Sequence, residues 1–223
     1  MYRSHADLLK VPSSLFYADE LIPSVSKDRG NAFLGANFLP NKNVPLVIVN
    51  VAHGQELRQT NGTSWYNPAE ILQVIKYTQL VQKHLGIDIL QKNNENSEAD
   101  ELKADEMIED IGIIAPYRQQ IRKLREYMNQ LHMKRCRVGT VEEFQGQERK
   151  AIILSTVRSK TSEGGSDGEN IGFLHSEKRF NVAITRAQSL LVVVTNVESL
   201  KVVPCWRRLF EFARSKGCIV NWK

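Results

Sequence analysis

The chain has 223 residues, 42% of them hydrophobic and 25% charged, which suits one large folded α/β core and excludes fibrous and low-complexity classes. Its longest apolar run, residues 190–194, is far below a membrane span, and its start carries no apolar targeting segment. A soluble intracellular protein without membrane insertion is therefore expected. The net charge of +5 is unevenly spread, because residues 95–110 hold eight acidic side chains and one Lys; that balance of −7 leaves +12 for the rest, which favours a polyanion such as nucleic acid or a solvated basic face.

In chain order, the β-branched runs VPLVIVNV (44–51), IGIIAP (111–116), RVGTV (137–141), AIILSTV (151–157) and LLVVVTN (190–196) read as buried parallel strands. Between them, residues 67–85 place Ile71, Val74, Ile75, Val81 and Leu85 on one helical face, and residues 117–131 do the same with Ile121, Leu124, Met128 and Leu131. Asn67 can cap the first helix, Pro68 suits its first position, and Glu70 sits where a capping box places its acid. Strand–helix alternation predicts a mainly parallel sheet with helices on both faces in a single domain, 1–223. Two polar stretches, 93–110 and 160–170, offer little apolar surface to offset chain entropy and are read as flexible insertions. Cys136, Cys205 and Cys218 form no CxxC pair and no His-linked metal spacing, so reduced thiols and no metal site are expected.

Open parallel sheets bind ligands at the carboxyl ends of their strands, which directs attention to the residues after each one. VGTVEEFQGQE (138–148) leaves Thr140, Gln145, Gly146 and Glu148 between two strands. Gly146 permits a tight turn, while Gln145 and Glu148 bring hydrogen-bonding groups of the kind that read a ribose or a phosphate-bound water. A plain surface turn with a capping Glu explains the same residues. In RFNVAITRAQSLLVVVTN (179–196), Arg179 and Arg186 stand just ahead of a buried strand. A guanidinium is always ionised and costly to desolvate, so one placed there calls for an anion.

Four segments are more specific together: YRSH (2–5), IGIIAPYRQQ (111–120), VGTVEEFQGQE (138–148) and KRFNVAITRA (178–187). In order and spacing they resemble the second motor domain of superfamily-one, Upf-like helicases. YRSHADLLKVPSSLFYADEL, SWYNPAE and GFLHSEKRFNVAITRA are similar to the Armitage group of RNA helicases, which act in small-RNA silencing. The resemblance implies a RecA-like domain of a cytoplasmic, ATP-dependent enzyme that translocates 5′ to 3′. Arg186 would be an arginine finger on the γ-phosphate, Arg3 a second phosphate contact and Tyr2 an adenine stack. Gln145 and Glu148 would sense the phosphates and hold the ribose, with Gly146 beside them. For Arg179, a nucleotide contact and an ion pair at the helix start stand side by side.

No GxxxxGK[ST] pattern occurs in the sequence. ATP and Mg2+ would then be bound mainly by a first RecA-like domain of the same protein, and this chain alone would hydrolyse nothing. The resemblance also sets single-stranded RNA along Pro116, Tyr117, Arg118, Thr140 and Val141, although core packing would equally explain Tyr117. Partners among small-RNA-silencing proteins follow from the same likeness. Two alternatives stay open: an interaction platform in a silencing complex, and a DNA helicase of the same branch.

Overall fold

The computed structural model describes residues 3–58, 64–87, 108–133, 136–159 and 174–222. Six strands form one parallel sheet: β1 (Leu46–Asn50), β4 (Ile111–Ile114), β5 (Arg137–Gly139), β6 (Arg149–Ser155), β7 (Ala187–Thr195) and β8 (Ile219–Asn221), in the order β5-β4-β6-β7-β1-β8. A short antiparallel pair, β2 (Leu57–Arg58) and β3 (Trp65–Tyr66), stands apart from it. The helices lying wholly among the described residues are α1 (Ala6–Phe16), α2 (Lys27–Gly30), α3 (Pro68–His84), α4 (Arg118–Gln130), α5 (Glu177–Ile184), α6 (Val197–Leu200) and α7 (Pro204–Ser215). This is the RecA-like α/β fold.

Alternation along the strands divides the core into two layers. Leu46, Ile48, Ile152, Leu154, Leu191 and Val193 pack with α1, α5 and α7, while Val47, Val49, Ile111, Ile113, Ile153, Val192 and Val194 pack with α3 and α4. All five expected strands form, and both expected helices lie within a residue of their predicted bounds. Ile71, Val74, Ile75 and Val81 are buried as the period requires, but Leu131, one residue past α4, is 45% exposed. The three cysteines are free and buried, and burial pushes their thiols up to about 12, 11 and 11 for Cys136, Cys205 and Cys218.

The capping expectation at α3 holds only in part. Asn67 Oδ1 accepts from the amides of Ala69 and Glu70, with Pro68 at the first position. Glu70, however, does not reach back to the Asn67 amide, which donates instead to Gln120 Oε1 at 2.9 Å. Its carboxylate turns into the core, accepting from Ser155 Oγ at 2.6 Å and from the Val157 amide at 2.8 Å. Tyr2 and the insertions lie outside the described residues, except for 108–110. There Ile108 is 7% exposed and Asp110 pairs with Lys150 at 2.9 Å, so the end of the acidic stretch belongs to the fold.

Candidate nucleotide and nucleic-acid faces

A cleft of about 820 Å³ is lined by Arg3, Ser24, Val25, Ser26, Arg29, Gly146, Gln147, Glu148, Arg149 and Gln188. It opens at the amino ends of β6 and β7, which differs from the carboxyl-end position expected for such sheets. The reason lies in the connection that follows β5. The chain turns through a 3-10 helix, Glu142–Phe144, and crosses the sheet, so that Gly146 to Glu148 arrive just ahead of β6. Gly146 makes that turn at φ +76°, in the left-handed region.

Three guanidinia give the cleft its positive lining. Arg149 is the most constrained: Nη1 donates to the Glu148 carbonyl and Nη2 to Gln147 Oε1, both at 3.0 Å, and its guanidinium lies 5.9 Å from the Phe144 ring centre. Its Nε is buried without an acceptor. Burial lowers the Arg149 pKa from its usual value, and Arg137 nearby acts in the same direction. An anion in the cleft would favour the charged guanidinium.

Glu148 is held from the side of β7. Gln188 Nε2 donates to Glu148 Oε2 at 2.9 Å, and Gln188 Oε1 accepts from Arg29 Nε. Arg29 Nη2 in turn donates to Asp110 Oδ1 at 2.7 Å. Sequence reading missed Arg29, Arg149 and Gln188. Arg29 lies in a stretch without strand or helix periodicity, and Gln188 precedes the apolar run that marked its strand.

The other nucleotide candidates fall differently. Arg3 is exposed in the cleft wall. Gln145 is exposed and its amide closes the 3-10 turn on the Glu142 carbonyl at 3.1 Å, outside the cleft lining. Arg179 Nε donates to Glu142 Oε1 at 2.8 Å, which is the ion-pair alternative rather than a place in the cleft. Arg186 is half-buried at the end of α5, with Nε donating to the Val182 carbonyl and Nη2 to Thr185 Oγ1, both at 3.0 Å. Its backbone adjoins the cleft, since the Arg149 amide donates to the Arg186 carbonyl at 2.9 Å.

The nucleic-acid candidates gather at the opposite, carboxyl edge. Pro116 and Tyr117 follow β4 half-buried, and Arg118 is exposed at the first position of α4. Burial raises the Tyr117 phenol pKa, while a hydrogen bond with Arg158 and that residue's charge act against it. Arg158 faces Glu56 at 3.3 Å in an almost buried pair, and its guanidinium lies 5.0 Å from the Trp65 ring centre. Thr140 Oγ1 accepts from the Glu143 amide at 3.4 Å. Val141 departs from expectation: the residue as a whole is 2% exposed in the core, because its carbonyl opens the 3-10 turn and its isopropyl group packs beneath.

At the carboxyl end of β6, beneath the second of these edges, sits Glu70, wholly buried. Burial raises its pKa from 4.5 to about 7 against the pull of hydrogen bonds from Ser155, Val157 and Thr156. A folded-state value above the unfolded one means that the neutral acid's contribution is complete below about pH 4.5 and disappears as pH rises through 7. Glu70→Gln keeps an acceptor for Ser155 and Val157 without a charge. The melting temperature of the variant should therefore gain on the parent between pH 5 and 8, with a difference of about 3 kcal/mol from a shift of that size. A constant gap between the two melting curves over that range would contradict the assignment.

A family model described as an AAA domain matches residues 1–198. The mouse RNA helicase Mov10l1 is 38% identical over 216 residues, covering 97% of this chain and 17% of that protein. The human RNA helicase Mov10l1 is 39% identical over 216 residues, covering 97% and 16%. The Drosophila melanogaster protein named probable RNA helicase armi is 34% identical over 229 residues, covering 99% and 17%. The chain thus spans about a sixth of the length of these relatives.

Proposed function

The chain belongs to the AAA-domain family, and on that premise we propose that it is the second RecA-like motor domain of an ATP-dependent RNA helicase. The observation that carries this reading is the arginine-lined cleft beside Arg186. Its volume suits a nucleotide, and Arg3, Arg29 and Arg149 line it with positive charge for the phosphates.

In this reading Arg186 leaves its helix-end acceptors and sets its guanidinium against the γ-phosphate as charge moves onto the transferring group. Such fingers contribute on the order of 10³ to 10⁵ in rate. Arg3 holds a second phosphate oxygen, Glu148 accepts from the ribose hydroxyls, and Tyr2 stacks on adenine. The first RecA-like domain of the same protein supplies the phosphate cradle and Mg2+, which screens the phosphate charge and orients the oxygens. At the opposite edge, Arg118 and the backbone at Thr140 hold RNA phosphates, and Tyr117 lines the track, which gives sequence-tolerant, salt-sensitive binding.

The finer reading is a 5′-to-3′ translocating helicase of small-RNA silencing, including the piRNA type, acting in cytoplasmic ribonucleoprotein granules. Likeness to relatives named RNA helicases supports its helicase part, and the motif resemblance alone supports the rest. The deciding experiment is ATP hydrolysis by the full-length protein with and without single-stranded RNA. Stimulation by RNA, together with no hydrolysis by residues 1–223 alone, is the expected result. Hydrolysis by the isolated chain, or a full-length protein indifferent to RNA, would reject it.

A further inference from the structure

The cleft contains a fixed chain of side chains that ends on its single carboxylate. Among the lining residues only Glu148 is acidic, and it shares the wall with three guanidinia. Phosphates are drawn to the guanidinia and repelled by Glu148. A carboxylate there serves a hydrogen-bond donor, and the vicinal diol of a ribose presents two to its two oxygens.

For that to work the carboxylate must not swing onto the arginines. Gln188 prevents this. It is 5% exposed, its Nε2 holds Glu148 Oε2 at 2.9 Å, and its amide cannot turn over because Oε1 is engaged by Arg29 Nε. Arg29 is anchored at 2.7 Å by Asp110, which Lys150 also holds at 2.9 Å. The Ser189 hydroxyl further donates to the Arg29 carbonyl, and the His5 amide donates to the Gln188 carbonyl at 2.7 Å, which ties the segment bearing Arg3 to the same point.

We infer that Gln188, oriented by the Arg29–Asp110 pair, is a positioning residue that sets the Glu148 carboxylate for the ribose and so gives the cleft its preference for a nucleotide with an intact sugar. The inference rests on the proposed nucleotide reading of the cleft. Gln188 does not touch the ligand; it acts through Glu148. Preorganised carboxylates lose affinity when their second partner is removed, because the free side chain samples other arrangements.

The test measures binding of ADP and of 2′,3′-dideoxy-ADP to the full-length protein by calorimetry, with no turnover required. Gln188→Ala should weaken ADP about fivefold to tenfold and leave dideoxy-ADP nearly unchanged, bringing the affinity ratio toward one. In a Glu148→Ala background the same substitution should cost nothing further, since the group it acts through is gone. Should Gln188→Ala fail to fold, Arg29→Met, at a half-exposed side chain, should lower the ratio in the same direction. Equal loss for both ligands, or the same loss with and without Glu148, would overturn the inference in favour of a purely structural network. Nucleotide binding without RNA-stimulated hydrolysis would reject the enzyme reading alone, the affinity ratios still deciding this one. No binding of ADP by the parent protein would overturn both.

Discussion

Replacing Arg186 by Lys in the full-length protein is expected to lower ATP turnover at least ~10²-fold, a figure set below the usual range for arginine fingers. Binding of single-stranded RNA without nucleotide should stay near normal. The guanidinium is fixed in charge and planar, and two of its nitrogens already donate in different directions, to the Val182 carbonyl and to Thr185 Oγ1. That fork can transfer to two phosphate oxygens at once, which an ammonium on a flexible stem cannot match. RNA binding is spared because the RNA candidates Pro116, Tyr117, Arg118 and Thr140 lie past the carboxyl ends of β4 and β5, whereas Arg186 precedes the amino end of β7. Steady-state hydrolysis and filter binding on the same preparation separate the two effects. Near-normal turnover would remove the finger assignment and return the domain to an interaction role.

The second large effect is on stability. Trp206 is 1% exposed, its Nε1 donates to the Leu174 carbonyl at 2.9 Å, and its ring meets Phe180 edge-on at 4.9 Å with Phe210 beyond at 6.1 Å. Trp206→Ala removes this packing, leaves the Leu174 carbonyl without its indole donor and opens a cavity between α5 and α7. A cost of about 3–5 kcal/mol is expected, read as a lower urea midpoint. Trp206→Phe keeps most of the ring and should lose distinctly less. Phe180 lies on the helix that ends two residues before Arg186, so the Ala variant should also weaken finger function at temperatures where it stays folded. A midpoint unchanged by the Ala substitution would mean that the cluster is not part of the cooperative core.

The sequence by itself determined the architecture wherever burial is strong and local. Runs such as 44–51 and 190–196 are apolar on both faces because helices cover both sides of a parallel sheet, and that pattern survives in one dimension. The helices α3 and α4 were legible for the same reason, since a single buried face repeats every turn. Motif order gave the domain type, and the comparisons agree with it. Helix α1 carried no such signal, because Pro12 sits inside it where a helix ordinarily breaks.

Only the tertiary structure decided which groups meet. Glu70 has the sequence position of a capping acid, yet packing against β6 made it a buried carboxylate, a choice that depends on a strand 85 residues away. Arg29 and Gln188 are separated by 159 residues and become neighbours because α2 lies against the amino end of β7. The crossing from β5 to β6 moved Gly146 and Glu148 to the amino edge while leaving Thr140 near the other. Local propensity is a sum over neighbours along the chain, so it records burial and period well. A site is defined by distances between segments that share no local pattern, and those distances exist only once the sheet order is fixed.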